Sequence, residues 1–205
     1  ARLKKHEDLL EMAEYATVPV INALTDFSHP CQVLADLLTI SEHKGRLKGL
    51  KLAYLGDANN NVTHSLLFGC AQCGIDIAVA CPDDPELKTG ESVLEDARAI
   101  AAKNGTQVEM VFDARAAADG ADVVYTDSWM SYHIPKEEEA ARVREFTPYQ
   151  VTAERMAQAA DGAVFMNCLP ALRGYEQTAE VIDGPQSVVF DEAENRLHAQ
   201  KAVML

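Results

Sequence analysis

Cysteine is scarce in this chain. Its 205 residues hold five, Cys31, Cys70, Cys73, Cys81 and Cys168, too few and too scattered for a disulfide framework in a chain of this size, which argues for a reducing compartment. Cationic side chains are also short: 18 Lys and Arg stand against 32 Asp and Glu, a net charge of -14. That balance excludes the diffuse basic surface needed for nucleic acid, and any cationic site for a small anion has to be local. No apolar run approaches the ~18 residues of a membrane span. The opening Ala1-Arg-Leu-Lys-Lys-His6 is charged and no apolar segment follows it, unlike a secretory signal. Repeats and glycine-serine linkers are missing too. What remains, 48% hydrophobic and 24% charged residues, is ordinary globular composition for one large domain or one domain plus part of another.

Short apolar runs alternate with helical patterns. The runs Val18 to Leu24, Leu52 to Leu55, Ile75 to Cys81, Val108 to Phe112, Val123 to Thr126, Ala163 to Asn167 and Ser187 to Phe190 are expected to be strands. Helices are expected over Pro30 to His43, with Val33, Leu34, Leu37 and Leu38 on one face, and over Val62 to Gly74, Glu91 to Asn104 and Glu192 to Leu205. This alternation predicts an α/β fold, a doubly wound and mainly parallel sheet with helices on both faces, Rossmann-like in layout.

In open sheets of this kind ligands bind beyond the carboxyl ends of the strands. The segments that follow the apolar runs here are polar: Thr25-Asp-Phe-Ser-His-Pro-Cys-Gln32, Gly56-Asp-Ala-Asn-Asn-Asn61, Asp127-Ser-Trp-Met-Ser131 and Cys168-Leu-Pro170. One site built from several loops accounts for them together. The Gly56 to Asn61 turn has one glycine where a dinucleotide fingerprint needs three, and no Gly-Lys-Ser follows, so neither a dinucleotide nor a nucleoside triphosphate is supported. Its Asn and Asp side chains suit a small polar ligand such as an amino acid; taken singly, they can equally make a turn and cap the next helix. Ser28 is expected to cap a helix with Pro30 in its first turn, placing His29 and Gln32 beside free N–H groups where an anion or polarised carbonyl is favoured. A lone histidine there can also be a cap or a surface residue. Cys70-x-x-Cys73 sits in a small, apolar stretch ending at Gly74, which reads as buried helical thiols rather than a redox pair or half a zinc site.

Taken in order, Asp26-Phe-Ser-His-Pro-Cys-Gln32, Gly56-Asp57 with Asn61-Val-Thr-His-Ser65, Asp127-Ser-Trp-Met-Ser131, Asn167-Cys-Leu-Pro170 and Glu192-Ala-Glu-Asn-Arg-Leu-His-Ala-Gln200 closely resemble the aspartate/ornithine carbamoyltransferase superfamily, its ornithine branch most of all. The resemblance runs over essentially the whole chain, and its specificity lies in the ordered set. It implies carbamoyl transfer from carbamoyl phosphate to the side-chain amine of L-ornithine, giving citrulline and phosphate with no cofactor or metal. It implies His29, Gln32 and Arg196 at carbamoyl phosphate; Asn61, Asp127 and Ser131 at ornithine; and Cys168 with Leu169 between the substrates. His29, Asp127, Cys168 and Arg196 are the catalytic candidates, and Gln32, Asn61, Ser131 and Leu169 the substrate-binding ones. The alternatives for two of them are a buried structural thiol for Cys168 and a surface Glu192–Arg196 pair.

The resemblance further implies a homotrimer in the full-length enzyme, with no nucleic-acid or membrane partner, in the cytoplasm or, in a eukaryote, the mitochondrial matrix. Residues 1–24 are expected to end a carbamoyl-phosphate domain whose Ser-x-Arg-Thr phosphate motif the sequence lacks, and residues 25–205 to form the ornithine-binding domain. The 205-residue chain alone is therefore expected to be inactive. Two local departures stand out: the first keeps the Cys168 thiol but loses a titratable neighbour, and the second bears on substrate choice. Asn167 stands where the family has His, and Ser131-Tyr-His133 replaces its Ser-Met-Gly. Putrescine or another amine as acceptor, and a catalytically silent amino-acid-binding or interaction protein, are the competing readings.

Overall fold

The computed structural model describes residues 1–130 and 134–205. Five parallel strands, β1 (Lys51–Leu55), β2 (Asp76–Ala80), β3 (Val108–Val111), β4 (Val123–Tyr125) and β5 (Val164–Met166), form one sheet in the order β3-β2-β1-β4-β5. Register places Ala53 of β1 between Ala78 of β2 and Val124 of β4. The expected α/β sheet is borne out, and all five strands run the same way.

Side chains alternate across the pleat, so each strand feeds two cores. Leu52, Tyr54, Ile77, Val79, Val123 and Tyr125 face α2 (Pro30–Lys44), α3 (Asn61–Cys73) and α4 (Glu91–Asn104), meeting Val33, Ile40, Leu66, Leu67, Leu94 and Ala97. On the other face Ala53, Leu55, Ala78, Ala80 and Phe165 meet α5 (Ala114–Ala118), α7 (Ala153–Met156) and α8 (Ala179–Ile182). Alanines on both sides of that interface (Ala78, Ala80, Ala114, Ala117) let the short α5 lie close to the sheet. Helix α1 (His6–Tyr15) precedes this layer, α6 (Glu139–Phe146) follows β4, and α9 (Val189–Met204) closes the chain against α2.

Helix ends follow local chemistry. Asn60 caps α3 by accepting from the Thr63 N–H at 2.8 Å, and Gly74 ends the helix in the left-handed region at φ 82°. Cys70 is buried in that helix and Cys73 half-buried, both free, as the buried-thiol reading expects.

Four expectations are corrected. Val18 to Leu24 is no strand, because its neighbour on one side is limited to the single bridge Arg2–Leu24, and Val18 is exposed. Ser187 to Phe190 is no strand either: Ser187 makes one bridge to Phe165, and Val189 already begins α9. Ser28 does not cap α2; His29 occupies the cap position with no side-chain bond, while the Ser28 hydroxyl accepts from Asn22 Nδ2 at 2.9 Å. The buried face of α2 is not the leucine stripe, since Leu34 is exposed and Gln32, Asp36 and Thr39 turn inward. That polar seam survives burial because α9 satisfies it: Asn195 Nδ2 donates to Thr39 Oγ1 at 3.0 Å and to Glu42 Oε2 at 2.7 Å.

Candidate active site

The order of the sheet reverses between β1 and β4, and a doubly wound sheet opens a crevice there. A cavity of about 300 Å³ lies at this point, and six of the candidate residues line it: His29, Asn61, Asp127, Cys168, Leu169 and Arg196. Gln32 lies directly behind the wall, buried, accepting from Arg196 Nη1 at 2.5 Å. Ser131, with Tyr132 and His133, lies outside the described residues. A larger cavity, about 420 Å³, is lined by Met12, Pro19, Val20, Ile21, Val203 and Met204 among others and offers little chemistry beside these apolar side chains.

Burial dominates the electrostatics. Asp127 ends the run after β4, and its Oδ1 accepts from the Ser128 N–H at 2.7 Å and from the Cys168 thiol at 3.1 Å. Desolvation raises the Asp127 carboxyl above the usual carboxylate range, and these two hydrogen bonds offset part of the rise. Desolvation, then the negative charge of Asp127, pushes the Cys168 thiol well up, so it stays protonated and donates. The pair is therefore a carboxylate with a thiol donor, not a thiolate nucleophile.

The opposite wall is electropositive. His29 is buried; its backbone N–H donates to Ser65 Oγ at 2.7 Å, and its Nδ1 meets no partner among the described residues. Desolvation, with the charges of Arg196 and Arg2 behind it, lowers the imidazole to about 4. It is neutral at pH 7, able to donate one hydrogen bond to a carbonyl oxygen beside the Arg196 cation. Arg196 makes no pair with Glu192 among the described residues; it reaches Gln32 instead.

Two loops are held by residues that the sequence reading missed. Arg142 of α6 donates from Nε to the Trp129 carbonyl at 2.7 Å and pairs with Asp57 after β1, tying the β1 and β4 loops together. Glu176 accepts from the Trp129 N–H at 3.3 Å and the Leu172 N–H at 3.1 Å. Neither lies within a motif, and their distance in sequence from the loops hides them. Arg2 and Met130, which also line the cavity, were missed as well, Arg2 because it falls in an unpatterned charged stretch.

Gly56 is required where β1 ends. At φ 134° it leaves the region open to other residues, and a Cβ there would lie 3.2 Å from Trp129 Nε1. Asn167, in the histidine position, is fully buried: its Oδ1 accepts from the Leu169 N–H at 2.8 Å, holding Leu169 at φ 52°, and its Nδ2 donates to Gln177 at 3.2 Å. An amide can serve this turn without titrating. Asn61 Nδ2 donates to the Thr25 carbonyl at 2.6 Å, joining the loop before α2 to the start of α3. No cluster of three or more His, Cys, Asp or Glu side chains with metal-binding geometry is found among the described residues.

Residues 48–205 match the family model described as aspartate/ornithine carbamoyltransferase, Asp/Orn binding domain, and residues 1–42 match its carbamoyl-P binding domain. An ornithine carbamoyltransferase of Methanobrevibacter smithii is 52% identical over 203 residues, 99% of this chain and 66% of that protein. The solved ornithine carbamoyltransferase of Pyrococcus furiosus superposes with a TM-score of 0.93 at 48% identity, over 100% of this chain and 64% of that one. A solved acetylornithine transcarbamylase complexed with acetylcitrulline is more distant, with a TM-score of 0.86 at 34% identity, over 99% of this chain and 65% of that one. The chain thus spans just under two thirds of the length of the curated relatives it matches. With the order of the motifs, the reversal of the sheet and the matched residues in agreement, the chain belongs to the aspartate/ornithine carbamoyltransferase family.

Proposed function

We propose that this chain is the amine-substrate side of an ornithine carbamoyltransferase, moving a carbamoyl group from carbamoyl phosphate to the side-chain amine of L-ornithine. The observation that carries the reading is the Cys168 thiol donating to Asp127 across a cavity whose other wall presents His29 and Arg196.

The chemistry divides between these walls. An alkyl ammonium with a pKa near ~10 cannot attack until it loses a proton. Asp127, buried beside a neutral thiol, is a carboxylate that attracts the ammonium, and its raised pKa makes it a better proton acceptor than an exposed aspartate. The amine nitrogen then bonds to the carbamoyl carbon, the carbon–oxygen bond to phosphate breaks, and phosphate departs with the bonding pair, taking up the second proton that the nitrogen sheds. The neutral His29 donates to the carbonyl oxygen, and Arg196 balances charge on the carbonyl and the leaving group. Asn61 is assigned to the amino-acid end of ornithine, and Ser131 is kept in that role.

Ornithine is favoured over its acetylated form because curated relatives named for ornithine are 52% identical and solved ones range from 36% to 50%, against 34% for the acetylornithine transcarbamylase. Putrescine lacks the α-carboxylate and α-amine, so buried partners shaped for ornithine would stay unpaired with it. The reading also carries with it a homotrimer, a cytoplasmic setting and a place in arginine metabolism. Among the described residues no helix is long and apolar enough to cross a membrane. The test is citrulline formation by the protein carrying this chain at the full length of its relatives, with ornithine, acetylornithine and putrescine compared at equal concentration. Ornithine should be used with the highest kcat/KM; equal use of putrescine overturns the substrate assignment.

A further inference from the structure

Behind the cavity wall lies a buried acidic pair that the reaction does not touch. Asp36 of α2 is 0% exposed and Glu192 of α9 is 1% exposed, and no lysine or arginine forms a salt bridge with either among the described residues. Both instead take hydrogen bonds from neutral groups. Gln32 Nε2 donates to Asp36 Oδ1 at 2.8 Å and to Glu192 Oε1 at 3.1 Å, so both of its N–H hydrogens are used. The Tyr125 hydroxyl lies 3.1 Å from Glu192 Oε1 and 3.3 Å from Asp36 Oδ2. Glu192 Oε2 accepts from the Asn167 N–H at 3.0 Å, one residue before Cys168.

The chemistry of the neighbours orients the Gln32 amide without ambiguity. An ionised carboxylate only accepts and a guanidinium only donates, so the nitrogen of Gln32 has to face the acids and its oxygen has to face Arg196. Two adjacent buried carboxyls do not both ionise, and desolvation raises both, so the pair keeps a proton. The Tyr125 hydroxyl bridges Glu192 Oε1 and Asp36 Oδ2, and the Asn167 N–H meets Glu192 Oε2, so the proton the pair keeps is shared within this cluster. Every polar atom in the cluster is then matched.

We propose that Asp36 and Glu192 are positioning residues: by taking both N–H hydrogens of Gln32 they hold its amide oxygen on Arg196 and so fix that guanidinium at the cavity wall. The role of Arg196 toward carbamoyl phosphate rests on the function proposed above; the orientation of Gln32 does not. A hydrophobic pair would fill the same space, but it would leave both Gln32 N–H groups buried and unpaired, so the amide would no longer be held with its oxygen on Arg196.

The test uses the protein carrying this chain at the full length of its relatives and compares Asp36→Leu with Asp36→Asn. An asparagine reproduces the protonated aspartate, accepting from Gln32 and donating to Tyr125, whereas leucine leaves a Gln32 N–H unpaired. Asp36→Leu should raise the KM for carbamoyl phosphate about tenfold, the size of one lost buried hydrogen bond, with the KM for ornithine changed less than about twofold. Asp36→Asn should restore the KM for carbamoyl phosphate. A second measurement needs no turnover. In the unsubstituted protein labelled with nitrogen-15, both Gln32 Nε2 hydrogens should exchange slowly with solvent, and Asp36→Leu should release one. Equal KM changes in the leucine and asparagine variants, or fast exchange of both hydrogens in the unsubstituted protein, overturn the proposal. An unsubstituted protein that makes no citrulline while both hydrogens are protected overturns the proposed function and leaves the orientation of Gln32 standing.

Discussion

A single thiol shows how position governs chemistry at the residue scale. Cys70 and Cys168 are both held protonated by burial, yet Cys70 lies inside α3 with no polar partner among the described residues and Cys168 donates to Asp127 at the cavity. In the full-length protein Cys168→Ala should lower kcat for citrulline formation while changing thermal stability little. Cys70→Ala should cost about 1 kcal/mol through a small cavity and leave kcat intact. Paired activity and thermal-melt measurements check this, and equal loss of kcat in both variants counts against the assignment. Asp127→Asn keeps the shape but cannot accept the ammonium proton, so kcat should fall by about 10²- to 10⁴-fold with stability held or raised, since a desolvated charge is removed. That Asp127, Cys168, His29 and Arg196 meet at one cavity was legible from residue type and motif order. Their protonation states were not, because desolvation depends on what the rest of the chain places around them.

Elements meet at surfaces whose fit is tighter than their sequences show. Gly69 of α3 faces α2, and a Cβ there would stand 2.4 Å from Val33 Cγ1. Gly69→Ala should therefore destabilise the α2–α3 contact by about 1–3 kcal/mol despite the better helix propensity of alanine, read as a lower melting temperature. A rise in stability would show that Val33 yields its rotamer freely. The same α2 was expected to bury leucines and instead buries Gln32, Asp36 and Thr39. A helical wheel favours the apolar stripe; only the presence of α9, 150 residues later in the chain, supplies partners that make the polar face the cheaper one to bury. Arg142 makes the complementary case, since its pairing with Asp57 and the Trp129 carbonyl joins elements 85 residues apart.

For the whole molecule the acidic pair makes stability depend on pH. Desolvation raises Asp36 to about 7, against about 3.9 for an aspartate in an unfolded chain. The native state therefore holds a proton that the unfolded chain releases, so this contribution is complete below about pH 4 and is lost as pH rises through about 7. Gln32, Tyr125, Glu192 and, more distantly, Arg196 face the carboxyl and set how much is lost. Asp36→Asn removes the Asp36 titration and leaves that of Glu192, so its melting temperature relative to the unsubstituted protein should climb between about pH 5 and about pH 8. Parallel profiles would mean that the pair does not titrate in that window. His29 has the opposite sign: lowered to about 4, it contributes stability that is lost as pH falls below about 6.5. The comparison of the two proteins cancels that contribution.

The sequence by itself determined the class of fold and where chemistry had to lie. Five of the seven expected strands, the four expected helices (α2, α3, α4 and α9), and the polar segments at the strand ends follow from short-range patterns: alternation, caps, and glycine where β1 and α3 end, whereas α1 and α5 to α8 were not expected from such patterns. Ordered motifs in those segments then pointed to one family. Tertiary structure alone decided which apolar runs found a neighbouring strand, and so excluded Val18 to Leu24 and Ser187 to Phe190. It also decided that Asn167 holds a turn, that Arg196 reaches Gln32 rather than Glu192, and that Asp36 and Glu192 lie buried against one Gln32 amide. Each of these depends on groups far apart in sequence removing one another from water. Solvation of this kind is a property of the assembled surroundings, and no local pattern of residues encodes it.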